Sequence, residues 1–158
     1  MGRLAGSIVV SSVLLFQSGA KPAEVARSLE LWLILKRALI AADGQEYFES
    51  GLKNAWVPGG VNGLDRLRGT VISAKPLDRP SSVIISISDK ITPEVTLQFK
   101  DARWQSTQLK VGIKPGTEVE FEGVPVAFTR EPFMLTFVVQ PDKLIVPART
   151  PPPSKPAH

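Results

Sequence analysis

Residues 67–99 read LRGTVISAK PLDRPS SVIISIS DKITPE VTLQF, and the period of that stretch decides the fold. Leu67 to Ser73 forms a first strand, and Asp78-Arg79-Pro80 turns the chain. Val83, Ile85 and Ile87 alternate with Ile84, Ser86 and Ser88 in a second strand. Asp89 to Pro93 turns again, and Val95, Leu97 and Phe99 alternate with Thr96, Gln98 and Lys100 in a third. A period of two, broken by Pro and Asp clusters, is the pattern of strands with one apolar face.

Downstream the pattern resumes after a longer connection, Asp101 to Ile113. Pro115-Gly116 is a turn pair. Val119 and Phe121 alternate with Glu118, Glu120 and Glu122 in a fourth strand. Phe133, Leu135, Phe137 and Val139 alternate with Met134, Thr136, Val138 and Gln140 in a fifth. Five short strands, each with an apolar face to bury, predict a small antiparallel barrel or sandwich over residues 67–146.

Upstream the period changes. Val25, Leu29, Trp32, Leu33, Lys36, Leu39 and Ile40 recur at helical spacing, with Pro22 suited to the first turn. Leu31 to Leu35 is apolar all round, so this helix needs burial on more than one side, or a partner. Asp43-Gly44 is read as its end, with Gly44 as the residue just past it. Residues 45–56 hold a second short helix carrying Tyr47, Phe48, Leu52 and Trp56. Residues 57–66 form a Gly/Pro linker, whose Gly59-Gly60-x-x-Gly63 lacks the Gly-Lys-Ser/Thr of a phosphate loop.

The two ends differ from the body. Arg3, an uncharged run from Leu4 to Phe16, and small residues at Ser18 and Ala20 make residues 1–20 a signal peptide by pattern. The chain is therefore expected to be exported, periplasmic or secreted. The alternative is a membrane anchor over residues 4–20, which at seventeen residues is short of the roughly 20 that a spanning helix needs. Residues 147–158 contain five prolines and are expected to form a disordered tail.

Composition limits the chemistry. The 158 residues include no Cys, and the single His is His158. Thiol nucleophiles, disulfides, Ser-His-Asp triads and Cys/His metal sites are thereby excluded. The net charge of +4 divides into +1 for residues 1–66, +1 for residues 67–146 and +2 for the tail. A near-neutral body is not the footprint of a phosphate-binding surface. Glu118, Glu120 and Glu122 lie about 7 Å apart on one face, a spacing compatible with glycoside hydrolysis. They are read instead as a solvated edge that discourages strand addition. No catalytic residue, metal ligand or cofactor site is expected.

Three strands, a long connection and two more strands resemble the OB-fold, a five-stranded, partly open barrel. Arg68-Gly69-Thr70-Val71, Gly116-Thr117-Glu118-Val119-Glu120-Phe121-Glu122-Gly123-Val124 and Pro132-Phe133-Met134-Leu135-Thr136-Phe137 also resemble the β domain appended to some bacterial tetratricopeptide-repeat proteins. The fold class implied is α+β, an N-terminal helical segment (21–56) followed by a five-stranded OB-like antiparallel β-barrel. Such barrels often bind single-stranded nucleic acid through aromatic platforms and a basic groove. The outward residues of the second and third strands, Ile84, Ser86, Ser88, Thr96, Gln98 and Lys100, include no aromatic and one base, so nucleic acid is the alternative partner. A non-enzymatic module that binds a protein or an envelope component is the principal expectation. Any binding site on the barrel would involve Gln98, Lys100, Arg103 and Trp104. Membrane contact is expected only through the N-terminal segment.

Overall fold

The computed structural model describes residues 22–57, 66–76, 80–99 and 113–147. Helix α1 (Pro22–Ile40) leads into a short helix α2 (Gly44–Tyr47), which continues as a π-helical turn (Phe48–Leu52). Among the described residues seven strands follow: β1 (Leu67–Lys75), β2 (Ser82–Ser86), β3 (Val95–Gln98), β4 (Glu118–Phe121), β5 (Val124–Arg130), β6 (Phe133–Val138) and β7 (Leu144–Ile145). The fold is α+β. The sheet order is β5-β6-β3-β2-β1-β4-β7.

This corrects the sequence reading in three respects. Among the described residues there are seven strands instead of five, the sheet is mixed, and its hydrogen-bonded order is open at β5 and β7 instead of closed into a barrel. All pairs are antiparallel except β3 with β6. The additional strands have physical causes. Pro125 has no N–H and β5 has little alternation, yet β5 is a terminal strand of the order and pairs only with β6. An edge position tolerates proline. The register also shifts between Pro125 and Ala127, which accommodates the ring at a bulge. β7 is only two residues long, too short to show a period.

The sheet curls strongly. Four strand steps separate β6 from β4, which would be about 19 Å across a flat sheet. Yet the rings of Phe121 on β4 and Phe137 on β6 meet edge to face with centroids 5.3 Å apart. A bulge in β1, where the register shifts between Val71 and Ser73, supplies part of the bend. Only Glu122 and Gly123 separate β4 from β5. Gly123 bridges to Val57 in both directions (2.8 and 2.9 Å), and a Cβ there would lie 2.7 Å from the Val138 carbonyl oxygen. Glycine is therefore required where the chain passes from one end of the order to the other.

The turn at Pro115-Gly116 forms as the sequence indicates. Thr117 N–H donates to Lys114 O (3.0 Å) and Gly116 has φ +86°. Proline before a positive-φ glycine is the signature of a type II turn. Gly44 behaves differently from its sequence reading. It begins α2 instead of following the end of α1, and it is buried. A Cβ on Gly44 would stand 1.8 Å from the Leu39 carbonyl oxygen, so close approach of the two helices is what demands glycine here.

Helices and strands share one core. Trp32, Leu35, Leu39, Phe48 and Leu52 are buried in the same cluster as Leu67, Val83, Ile85, Leu97, Phe121 and Leu135. The buried face of α1 is Ser28, Trp32, Leu35 and Leu39. Of the apolar stripe read from the sequence, Trp32 and Leu39 are inside, whereas Val25, Leu29, Leu33 and Ile40 are exposed. With five consecutive apolar residues, hydrophobicity alone cannot select a face, and polar partners on the sheet make the selection.

Candidate functional site

Those partners centre on Glu94, the residue preceding β3, which is 1% exposed. Its Oε1 accepts from Trp32 Nε1 (3.3 Å), Lys36 Nζ (2.5 Å) and Ser88 Oγ (2.6 Å). Its Oε2 accepts from the backbone N–H groups of Ile87 (2.8 Å) and Ser88 (2.7 Å). Trp32 and Lys36 are one helical turn apart, so α1 presents an indole donor and an ammonium to the same carboxylate. Lys36 also lies 5.2 Å from the Phe133 ring centroid, and Trp32 meets Phe133 edge to face. The aromatic line continues through Phe128 to Phe48, joining α1, the β5–β6 hairpin and the π-turn.

Burial pushes the Glu94 carboxyl up, but the bonds from Lys36, Ser88 and Ile87 outweigh it and hold it below the usual carboxylate range. Asp89 in the β2–β3 loop is held far below that range, chiefly by Thr92 through its hydroxyl and N–H, then by Ile91 N–H and Ser86 Oγ. Carboxylates lowered in the fold add stability above their unfolded pKa, about 4. That stability is lost as pH falls through the folded values. Thermal stability is therefore expected to decline as pH drops below about 4, with a shallower decline in Glu94→Gln. Equal slopes for the two proteins across pH 7 to 2 would contradict this account of Glu94.

Further ties hold α1 to the sheet. The buried Ser28 Oγ accepts from Arg68 N–H on β1 (2.8 Å). The Arg130 guanidinium donates to Ala41 O at the end of α1. The glutamates of β4 are not a solvated edge, because β4 lies between β1 and β7. Glu120 pairs with Arg68 (2.6 Å), while Glu122, just beyond β4, is buried and accepts from Arg66 Nε (2.9 Å) and Trp56 Nε1 (3.2 Å). Only Glu118 is exposed.

Of the residues singled out in the sequence, Gln98 closes β3 with its side chain exposed, and its carbonyl accepts from Val139 N–H (2.9 Å). Lys100, Arg103 and Trp104 lie outside the described residues, as do residues 1–20 and the tail after Pro147. No helix among the described residues is long and apolar enough to cross a membrane.

α1 also leaves apolar side chains exposed. Val25, Leu29, Leu33, Ile34 and Ile40 are all exposed, Leu33 by 42% and Ile34 by 57%. Several exposed apolar side chains on one element mark interaction sites more often than isolated ones do. The sequence signal for this surface was the all-round apolar run Leu31–Leu35. Compared with protein-family profiles, curated proteins and solved structures, the chain matches none.

Proposed function

We propose that the protein is a non-enzymatic interaction module of an exported bacterial protein, in which a curled, OB-like sheet displays the outer face of α1 to a protein partner. The observation that carries this reading is the division of α1. One side is fixed by Glu94, Arg68 and Arg130, while Leu33 and Ile34 stand exposed on the opposite face and Val25, Leu29 and Ile40 are exposed along one flank. A helix held so firmly loses little further freedom on binding, which favours its use as a docking surface. The OB-like description is supported by the β1–β2–β3 meander, the parallel β3/β6 pair, and the two-residue step from β4, paired with β1, to β5, paired with β6. Export is proposed from the pattern of residues 1–20.

The chain has no cysteine, so a single one can report on this face. Ile34→Cys is expected to be alkylated about tenfold more slowly in the producing cell than Glu131→Cys in the exposed β5–β6 turn, because an interface core excludes water. In dilute purified protein the two should react alike. Equal rates in the cell would contradict the proposal.

A further inference from the structure

Glu30, Leu33, Ile34 and Arg37 stand at positions i, i+3, i+4 and i+7 of α1, a spacing that places them on one face. At about 100° per residue that face is opposite Ser28, Trp32, Leu35 and Leu39. Among the described residues neither Glu30 nor Arg37 has a charged or hydrogen-bonding partner, in contrast to Lys36, Arg68 and Arg130. The face thus consists of two apolar side chains flanked by an unpaired anion and an unpaired cation.

This arrangement is self-complementary. A two-fold axis passing between Leu33 and Ile34, perpendicular to an antiparallel helix pair, sets each residue n level with residue 67 − n. Leu33 then adjoins Leu33 of the other copy on one side of the contact and Ile34 adjoins Ile34 on the other, and Glu30 meets Arg37 of the other copy twice. Isologous contacts of this kind are the commonest way in which proteins self-associate. We infer that the occupant of the outer face of α1 is a second copy of this chain, an inference that rests on reading that face as a docking surface. One helix face per copy is at the small end of interface sizes, so the dimer is a weak one, with Kd on the order of micromolar, the weak end for specific interfaces.

The symmetry makes a strong test. In Glu30→Arg, Arg meets Arg at both ends of the contact. In Arg37→Glu, Glu meets Glu. Each variant alone should dimerise about 100-fold more weakly than the native chain, since like charges across an interface are strongly unfavourable. An equimolar mixture of the two restores opposite charges at both ends and should recover dimers. Sedimentation velocity on the full chain, each variant and the mixture, from about 1 to 100 times the expected Kd, reads all four cases. A native chain that stays monomeric throughout, or a mixture that behaves like its components, overturns the inference.

The Ile34→Cys variant separates this failure from failure of the docking reading. Protection that grows with concentration in the purified protein supports the second copy. Protection only in the cell overturns it in favour of another protein while the docking surface stands. Protection in dilute monomer overturns it in favour of the chain's own residues 4–16. Absence of protection everywhere overturns both.

Discussion

Replacing Glu94 with alanine is expected to destabilise the protein by about 3–5 kcal/mol, since each buried donor left without an acceptor costs about 1–3 kcal/mol. The loss is large because five donors depend on this carboxylate. Trp32 Nε1, Ser88 Oγ and the N–H groups of Ile87 and Ser88 would lose their acceptor, and the Lys36 ammonium would remain beside a vacated site. Adding Lys36→Met should recover part of the loss by removing the unpaired charge. Urea unfolding of the native protein, both single variants and the double variant measures the coupling. A loss below about 1 kcal/mol, typical of an exposed salt bridge, would mean that Glu94 does not fix the helix to the sheet.

Phe137→Ala should have an effect of similar size, about 3–5 kcal/mol. The ring is fully buried and leaves a cavity that surrounding strands cannot readily fill. It also tests the curl of the sheet. Phe137 and Phe121 lie on strands that are distant in the hydrogen-bonded order, yet they meet at 5.3 Å. A double-mutant cycle with Phe121→Ala should show a coupling of about 0.5–1.5 kcal/mol, the usual worth of an edge-to-face aromatic pair. Additive losses would mean that the rings do not touch and that the sheet is flatter.

Much of this architecture was legible in the sequence where a single period governs a segment. Leu67–Lys75, Ser82–Ser86, Val95–Gln98, Glu118–Phe121 and Phe133–Val138 all fall where alternation places them, and α1 begins at Pro22. What was not legible depends on partners remote in the chain. Pro125 conceals β5, because whether proline is tolerated depends on which edge faces a neighbour. The parallel β3/β6 pairing leaves no local trace. The glutamates of β4 look alike in sequence, yet Glu120 and Glu122 find Arg68, Arg66 and Trp56 while Glu118 remains in solvent.

Glu94 is the most instructive case. It follows a turn and precedes a strand, a position that reads as surface. The available signal was on the helix: Trp32 and Lys36, one turn apart, offer two donors on a face that must be buried and so call for an acceptor. The same choice determined which side of the Leu31–Leu35 run faces outward. An apolar helix with a Trp, a Ser and a Lys on one side turns that side to the sheet, and the outer face is left exposed.

In the proposed function α1 is a fixed part of the core on one side and a docking surface on the other. Native-state amide hydrogen exchange along the chain tests it most directly. The amides of Trp32, Leu35 and Leu39 are expected to exchange only on global unfolding, within about 1 kcal/mol of those of Leu97 and Phe137. Exchange of α1 at several kcal/mol lower free energy, with the sheet still protected, would contradict it: α1 would then be a separable segment, and its outer face would not be held for recognition.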